Sequence, residues 1–119
     1  MVIDKNDKKR QALTQKLLKL DDLEDDYLSL KRHHEDRVSN LHSEFHNLSS
    51  EIETLLYDTP EFNLDRRRQS LENDDINQQV DGYVNHHLED LSQKTRILRS
   101  QWDDERESLI KERNHLPWE

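Results

Sequence analysis

The sequence predicts an all-α protein in which two long antiparallel helices form a coiled-coil-like helical hairpin, with the turn near residues 58–60. The 119 residues include one glycine and two prolines, so the frequent turns of a β-sandwich or barrel are missing. Charged residues make up 38% of the chain and hydrophobic residues 30%, which is typical of disorder or of long amphipathic helices. A regular seven-residue repeat favours helices over disorder.

The repeat runs through residues 4–57, which are predicted to form the first helix. One line of positions recurs at every seventh residue: Leu13, Leu20, Tyr27, His34, Leu41, Leu48 and Leu55. A second apolar line accompanies it: Leu23, Leu30, Val38, Phe45 and Ile52. Two such lines mark a narrow seam along which one helix packs against another. The second line moves by one position relative to the first near His34, which predicts a local change of supercoil.

The first helix is predicted to end at Pro60, because proline cannot continue a helix and disfavours helical geometry in the residue before it. A second helix follows and is expected to reach about residue 115, ahead of Pro117 and a tail at 116–119. The stretch 63–75 carries few apolar residues, and helix or loop both remain open there. The apolar repeat then resumes on two lines: Leu88, Thr95, Trp102, Leu109 and Leu116, and Val84, Leu91 and Leu98.

A short connection at mid-chain folds two helices back on each other, so residues 1–119 are predicted to form a single helical-hairpin domain. With the turn at 58–60, Leu20 faces Leu98 and Tyr27 faces Leu91. Two helices bury little apolar surface between them, so we expect another chain to supply further helices. The predicted partner-binding residues are Leu13, Leu20, Tyr27, Leu41, Phe45, Leu48, Ile52, Leu55, Leu91, Leu98, Trp102, Leu109, Leu116 and Trp118.

Charge and composition exclude several classes of function. The formal net charge of −9 disfavours binding to nucleic acid or to an anionic membrane, both of which require a concentrated positive surface. The chain has no cysteine, no glycine-rich phosphate loop and no nucleophile elbow, so we predict no enzymatic activity, no catalytic residues and no cofactor. There is no apolar signal segment at the start and no run long enough to span a membrane, so we expect a cytoplasmic protein.

The seven histidines are the best candidates for metal chemistry. His42 and His46 are four residues apart and share a helix face, a spacing that can bind zinc. The hairpin would also bring His33, His34, His86 and His87 to nearly one level. No further ligand or supporting carboxylate can be assigned from the sequence, so no metal site is predicted. Most of these imidazoles are expected to face water, with His34 as a polar residue in the seam.

The chain ends with the residues NHLPWE, which place Trp118 beyond Pro117 and outside the second helix. An indole gains little from full exposure, so we expect Trp118 to be buried, either against the hairpin itself or against a partner. Trp102 lies on the seam of the second helix, where core packing and a role as an interface anchor are both open.

In overall architecture, with its mid-chain break at 58–60 and its LPW tail, the chain resembles the small α-helical proteins that accompany LXG toxins in Gram-positive type VII secretion. It resembles the WXG-type hairpin without its turn, since neither Trp102 nor Trp118 is followed by x-Gly. The resemblance implies a targeting factor or chaperone that binds the helical N-terminal domain of a cognate toxin, often with a second small helical protein. It leaves open export with that partner without a signal peptide.

A self-associating coiled coil, acting as a structural or scaffold protein of the cytoplasm, is the alternative, and a homodimer stays open with it. Both halves of the chain are acidic, with net charges of −3 for residues 1–57 and −6 for 58–119. Like charge on both helices disfavours self-pairing and indicates a more basic partner.

Overall fold

The computed structural model describes residues 6–58 and 63–117, and it confirms the all-α helical hairpin. Helix α1 spans Asp7–Asp58 and helix α2 spans Asn63–Asn114, each with 52 residues, and no strand occurs in these two ranges. The sequence left open whether the stretch 63–75 is a helix or a loop. It forms the start of α2. Thr59 and Pro60 of the predicted break, residues 4 and 5 of the predicted first helix, and Trp118 lie outside the described residues.

The ends of the helices carry the charges that the helix dipole favours. Asp7 lies in the first turn of α1, Asp65 lies in the first turn of α2, and Lys111 and Arg113 lie in its last turn. The last turn of α1 has no basic residue of its own. Arg66 of α2 takes that place, because its Nη1 donates to the backbone carbonyl of Tyr57 at 3.3 Å.

The chain divides into two compact units, each built from a segment of α1 and a segment of α2. The terminal unit comprises Met1–Lys31 and Ser92–Glu119, and the central unit comprises Arg32–Leu91. Neither helix contains an apolar stretch of the length needed to cross a lipid bilayer.

In the terminal unit, the predicted apolar line lies between the helices. Leu13 and Leu20 are buried, with 6% and 8% of their surface exposed, and they are the only buried hydrophobic residues in the described parts of the chain. The Tyr27 ring packs edge-on against Trp102, with ring centroids 5.5 Å apart. The Tyr27 hydroxyl shares a hydrogen bond of 2.9 Å with Thr95 Oγ1, and Thr95 is itself buried. Trp102 is therefore a half-buried packing residue of this unit.

The predicted pairing of the helices is shifted by about one helical turn. Tyr27 was expected to face Leu91, but it contacts Thr95, four residues further along α2. The physical reason is the position of the connection, because α1 continues to Asp58 and α2 begins only at Asn63. The hairpin is therefore centred later than the predicted turn at 58–60.

Two charged groups complete the terminal unit. Arg106 of α2 reaches Asp21 at 3.0 Å, Glu24 at 2.6 Å and Asp103 at 2.7 Å. The hydrogen bond to Glu24 is the main cause of a raised pKa of the Arg106 guanidinium. Arg10 of α1 donates to the backbone carbonyl of Pro117 at 2.9 Å, so it satisfies a carbonyl just past the end of α2.

Candidate functional site

The central unit has a polar seam. Ser49 and Asn73 are buried, with 4% and 8% of their surface exposed. Ser49 Oγ donates to Asn73 Oδ1 at 3.1 Å, and Asn73 Nδ2 donates to the Ser49 carbonyl at 3.2 Å and to Glu53 Oε1 at 3.0 Å. Ser70 Oγ also donates to Glu53, at 2.9 Å. A network of hydrogen bonds made by polar side chains therefore joins the two helices at this level.

The leucines of the same segment lie outside the seam. Leu41, Leu48 and Leu55, which the sequence predicts to bind a partner, are 65%, 54% and 67% exposed. The seven-residue line that is buried at Leu13 and Leu20 is therefore exposed at these three predicted partner-binding positions. A seven-residue line drifts by about 20° per repeat around a straight helix, hence by about 80° between Leu13 and Leu41. The polar residue Ser49 takes the buried position, and the leucines form an exposed stripe.

Helix α2 contributes a second apolar row on the same side. An apolar groove of about 440 Å³ in the central unit is lined by Val38, Leu41, His42, Phe45, Val80, Tyr83, Val84 and His87. Tyr83 is 77% exposed, and Ile76, seven residues before it, is 49% exposed. Leu48 follows Leu41 by seven residues, so Leu48 and Ile76 repeat the groove-lining positions one heptad closer to the connection.

The groove and the apolar residues that continue it along the same sides of α1 and α2 form one surface, which we call the apolar face of the central unit. Ile52, which is 39% exposed, and Leu55 continue the stripe on α1. The apolar face therefore consists of Leu41, Phe45, Leu48, Ile52, Leu55, Ile76, Val80 and Tyr83.

The predicted partner-binding residues other than Trp118, which lies outside the described residues, divide into three groups by exposure. Leu13 and Leu20 are buried within the terminal unit. The half-buried residues, from both units, are Tyr27, Phe45, Leu91, Leu98, Trp102, Leu109 and Leu116. The exposed ones are Leu41, Leu48, Ile52 and Leu55. Ile76, Val80 and Tyr83 were missing from the prediction, although the seven-residue spacing of Ile76 and Tyr83 could have identified two of them.

A second constellation in the central unit joins His42 and His46 of α1 to Asp81 of α2. Both Nε2 atoms approach Asp81 Oδ1, at 2.6 Å for His42 and 2.8 Å for His46, and the two Nε2 atoms lie 3.0 Å apart. The pKa of Asp81 lies below its ordinary 3.8, chiefly because of the hydrogen bond from His42. Desolvation opposes this shift, while the hydrogen bond from His46 and the charges of both imidazoles add to it. These three side chains could hold a metal ion.

The four histidines predicted to share one level are brought together only in part. His34 Nε2 lies 2.7 Å from His87 Nε2, and the two rings meet edge-on with centroids 5.0 Å apart. His33 and His86 are exposed. At this level His34 and His87 therefore form a pair of imidazoles in contact.

Comparison with protein-family models, with curated proteins and with solved structures finds no match for this chain.

Proposed function

We propose that this chain is a non-enzymatic protein-binding module whose apolar face packs against helices of another protein. One observation carries the proposal: the described residues bury two hydrophobic side chains, while twelve large hydrophobic residues are exposed. Scattered exposed apolar residues need no explanation, but a contiguous patch marks an interaction site. The leucine stripe on α1 and the row beside it on α2 form such a patch.

The composition of the face supports a helical partner. Apolar side chains that recur at seven-residue spacing on one side of a helix are suited to the knobs-into-holes packing of a further helix. Burying a leucine or isoleucine contributes about 1.5–3 kcal/mol, so a few of these side chains supply a useful binding energy. The exposed ring of Tyr83 at the edge of the groove adds an aromatic residue of the kind that dominates interface energies.

Charge supports a partner different from this chain. The net charge of −9 makes two copies repel each other, whereas a more basic helical domain is attracted. Together with the resemblance described above, this favours the helical N-terminal domain of a secreted LXG toxin, with or without a second small helical protein. In this proposal the chain acts in the cytoplasm as a targeting factor or chaperone.

A self-associating coiled-coil scaffold is the second candidate, because Leu41, Leu48 and Leu55 form the exposed line that a homomeric coiled coil would use. Solution mass by light scattering, with circular dichroism on the same sample, separates the two. The proposal expects a monomer near 14.4 kDa with incomplete or labile helicity, while a stable and fully helical dimer would favour the scaffold.

The partner is then tested directly by mixing the protein with the purified helical domain of the cognate LXG toxin. We expect a stoichiometric complex that the double variant Leu41→Gln/Leu48→Gln abolishes. The matched control is Leu18→Gln/Ile97→Gln, which removes two equally exposed apolar residues of the terminal unit and should bind normally. The proposed face would be wrong if both double variants bound like the wild type, and the proposed partner would be wrong if the wild type formed no complex.

A further inference from the structure

The triangle formed by His42, His46 and Asp81 is difficult to explain by hydrogen bonds alone. All three contacts join the same three atoms, namely the two Nε2 atoms and Asp81 Oδ1, at 2.6, 2.8 and 3.0 Å. A neutral imidazole has one nitrogen that donates and one that accepts, while an ionised carboxylate only accepts. The arrangement of protons therefore decides which of these contacts is favourable.

No arrangement of protons on the imidazoles satisfies all three contacts. If both Nε2 atoms carry protons, each donates to Asp81, but two N–H groups then face each other across 3.0 Å. If only one carries a proton, the lone pair of the other faces a carboxylate oxygen at 2.8 Å or less. A cation bound by the three atoms removes the conflict, because each of them can then offer it a lone pair.

We propose that His42, His46 and Asp81 bind a divalent metal ion of the zinc type. Two imidazole nitrogens and one carboxylate oxygen are a ligand set that Zn²⁺ accepts, with a water molecule as the fourth ligand. Bonds of about 2.0–2.2 Å at tetrahedral angles separate the ligand atoms by about 3.3 Å, so each pair needs to move apart by less than about 1 Å. The side chains are 24%, 44% and 41% exposed, so both an entering ion and the bound water have access.

The site would clamp the two helices of the central unit. His42 and His46 are one turn apart on α1, and Asp81 lies on α2, so a bound ion cross-links the helices beside the apolar groove that His42 also lines. Because the unfolded chain does not hold these ligands together, binding to the folded form raises the free energy of unfolding. This inference does not depend on the identity of the protein partner.

The test uses the full chain, freed of metal with a chelator, and Zn²⁺ as the probe. Isothermal titration calorimetry should show one Zn²⁺ per chain, and the melting temperature should rise with Zn²⁺ concentration. Co²⁺ gives an independent readout, because tetrahedral coordination produces visible absorption bands. His46→Ala and Asp81→Asn should each weaken Zn²⁺ binding by more than about 100-fold, since losing a ligand costs more than losing an outer-shell partner.

The matched controls are His33→Ala and His86→Ala, which remove exposed imidazoles outside the triangle. Both should bind Zn²⁺ as tightly as the wild type. Circular dichroism of each metal-free variant separates loss of the site from loss of the fold, and His46→Ala removes a side chain exposed enough to spare the fold. The proposal is overturned if the wild type binds no stoichiometric Zn²⁺, or if the control variants weaken binding as much as His46→Ala and Asp81→Asn.

Discussion

Asn73 of α2 donates a hydrogen bond from its side-chain amide to the backbone carbonyl of Ser49 on α1 at 3.2 Å, and both residues are buried. The neighbouring Leu48 is 54% exposed. At this level the central unit therefore buries polar side chains between its helices, while Leu48 lies exposed. A buried polar contact contributes little net stability but fixes the register, because an unmatched partner is costly. This arrangement leaves the leucines available for another chain.

Replacing Asn73 with alanine should destabilise the protein by about 1–3 kcal/mol, because the buried polar groups of Ser49 and Glu53 lose a partner. Urea denaturation followed by circular dichroism measures this loss. Asn85→Ala is the matched control, since Asn85 is exposed on the same helix and the change in helix propensity is the same. Equal effects of the two substitutions would mean that the polar seam does not hold the helices in register.

Much of the fold could be predicted from the sequence, because one glycine, two prolines and a seven-residue repeat in both halves of the chain permit few alternatives to a helical hairpin. Leu13 and Leu20, near the start of this repeat, are buried. The same line is exposed at Leu41, Leu48 and Leu55, because a seven-residue line stays between two helices only if the helices supercoil to follow it. Spacing alone does not state how far two helices supercoil.

The metal-binding candidate shows a second limit of the sequence. The spacing of His42 and His46 was visible, but the third ligand lies on the other helix. With the predicted turn at 58–60, His42 would face Ile76. Because the connection between α1 and α2 is centred later in the chain than predicted, Asp81 is the residue that contacts both histidines. Composition and periodicity do not reveal a shift of one helical turn in the pairing of the two helices. That shift nevertheless decides which side chains can bind the same ion.

Tyr27→Phe should cost about 1 kcal/mol, because it removes the hydroxyl that is hydrogen-bonded to the buried Thr95 while preserving the ring that packs on Trp102. Thermal or urea denaturation measures the change. Tyr83→Phe is the control, since Tyr83 is 77% exposed and should change the free energy of unfolding by less than about 0.5 kcal/mol. An equally large effect at Tyr83 would show that the Tyr27–Thr95 contact is not the cause.

Gly82→Ala should stabilise the protein by about 0.5–1 kcal/mol. Gly82 lies inside α2, and a Cβ built there meets no atom within 4 Å, so only the gain in helix propensity remains. The midpoint of urea denaturation should rise. Gln78→Ala, an exposed position on the same helix with little propensity to gain, should leave the midpoint nearly unchanged. A destabilising Gly82→Ala would mean that another chain, or a conformation with a bent α2, requires the glycine.

Arg106→Gln should destabilise the protein by about 1 kcal/mol at low salt, because one guanidinium bridges Asp21, Glu24 and Asp103, and its side chain is only 25% exposed. Lys111→Gln is a control of equal charge change on the same helix. Lys111 pairs with Glu107 at 3.2 Å, but both side chains are about two-thirds exposed, so the loss should be a few tenths of a kcal/mol.

Salt distinguishes a bridging role of Arg106 from a general effect of net charge. Repeating both denaturation series at about 1 M NaCl, where the screening length falls to about 3 Å, should shrink the cost of Lys111→Gln to nearly zero. The cost of Arg106→Gln should fall only in part, because the short contact with Glu24, whose side chain is 12% exposed, is less screened. If salt abolished both costs equally, Arg106 would act through long-range charge alone, and the bridge would contribute nothing to the pairing of α1 with α2 in the terminal unit.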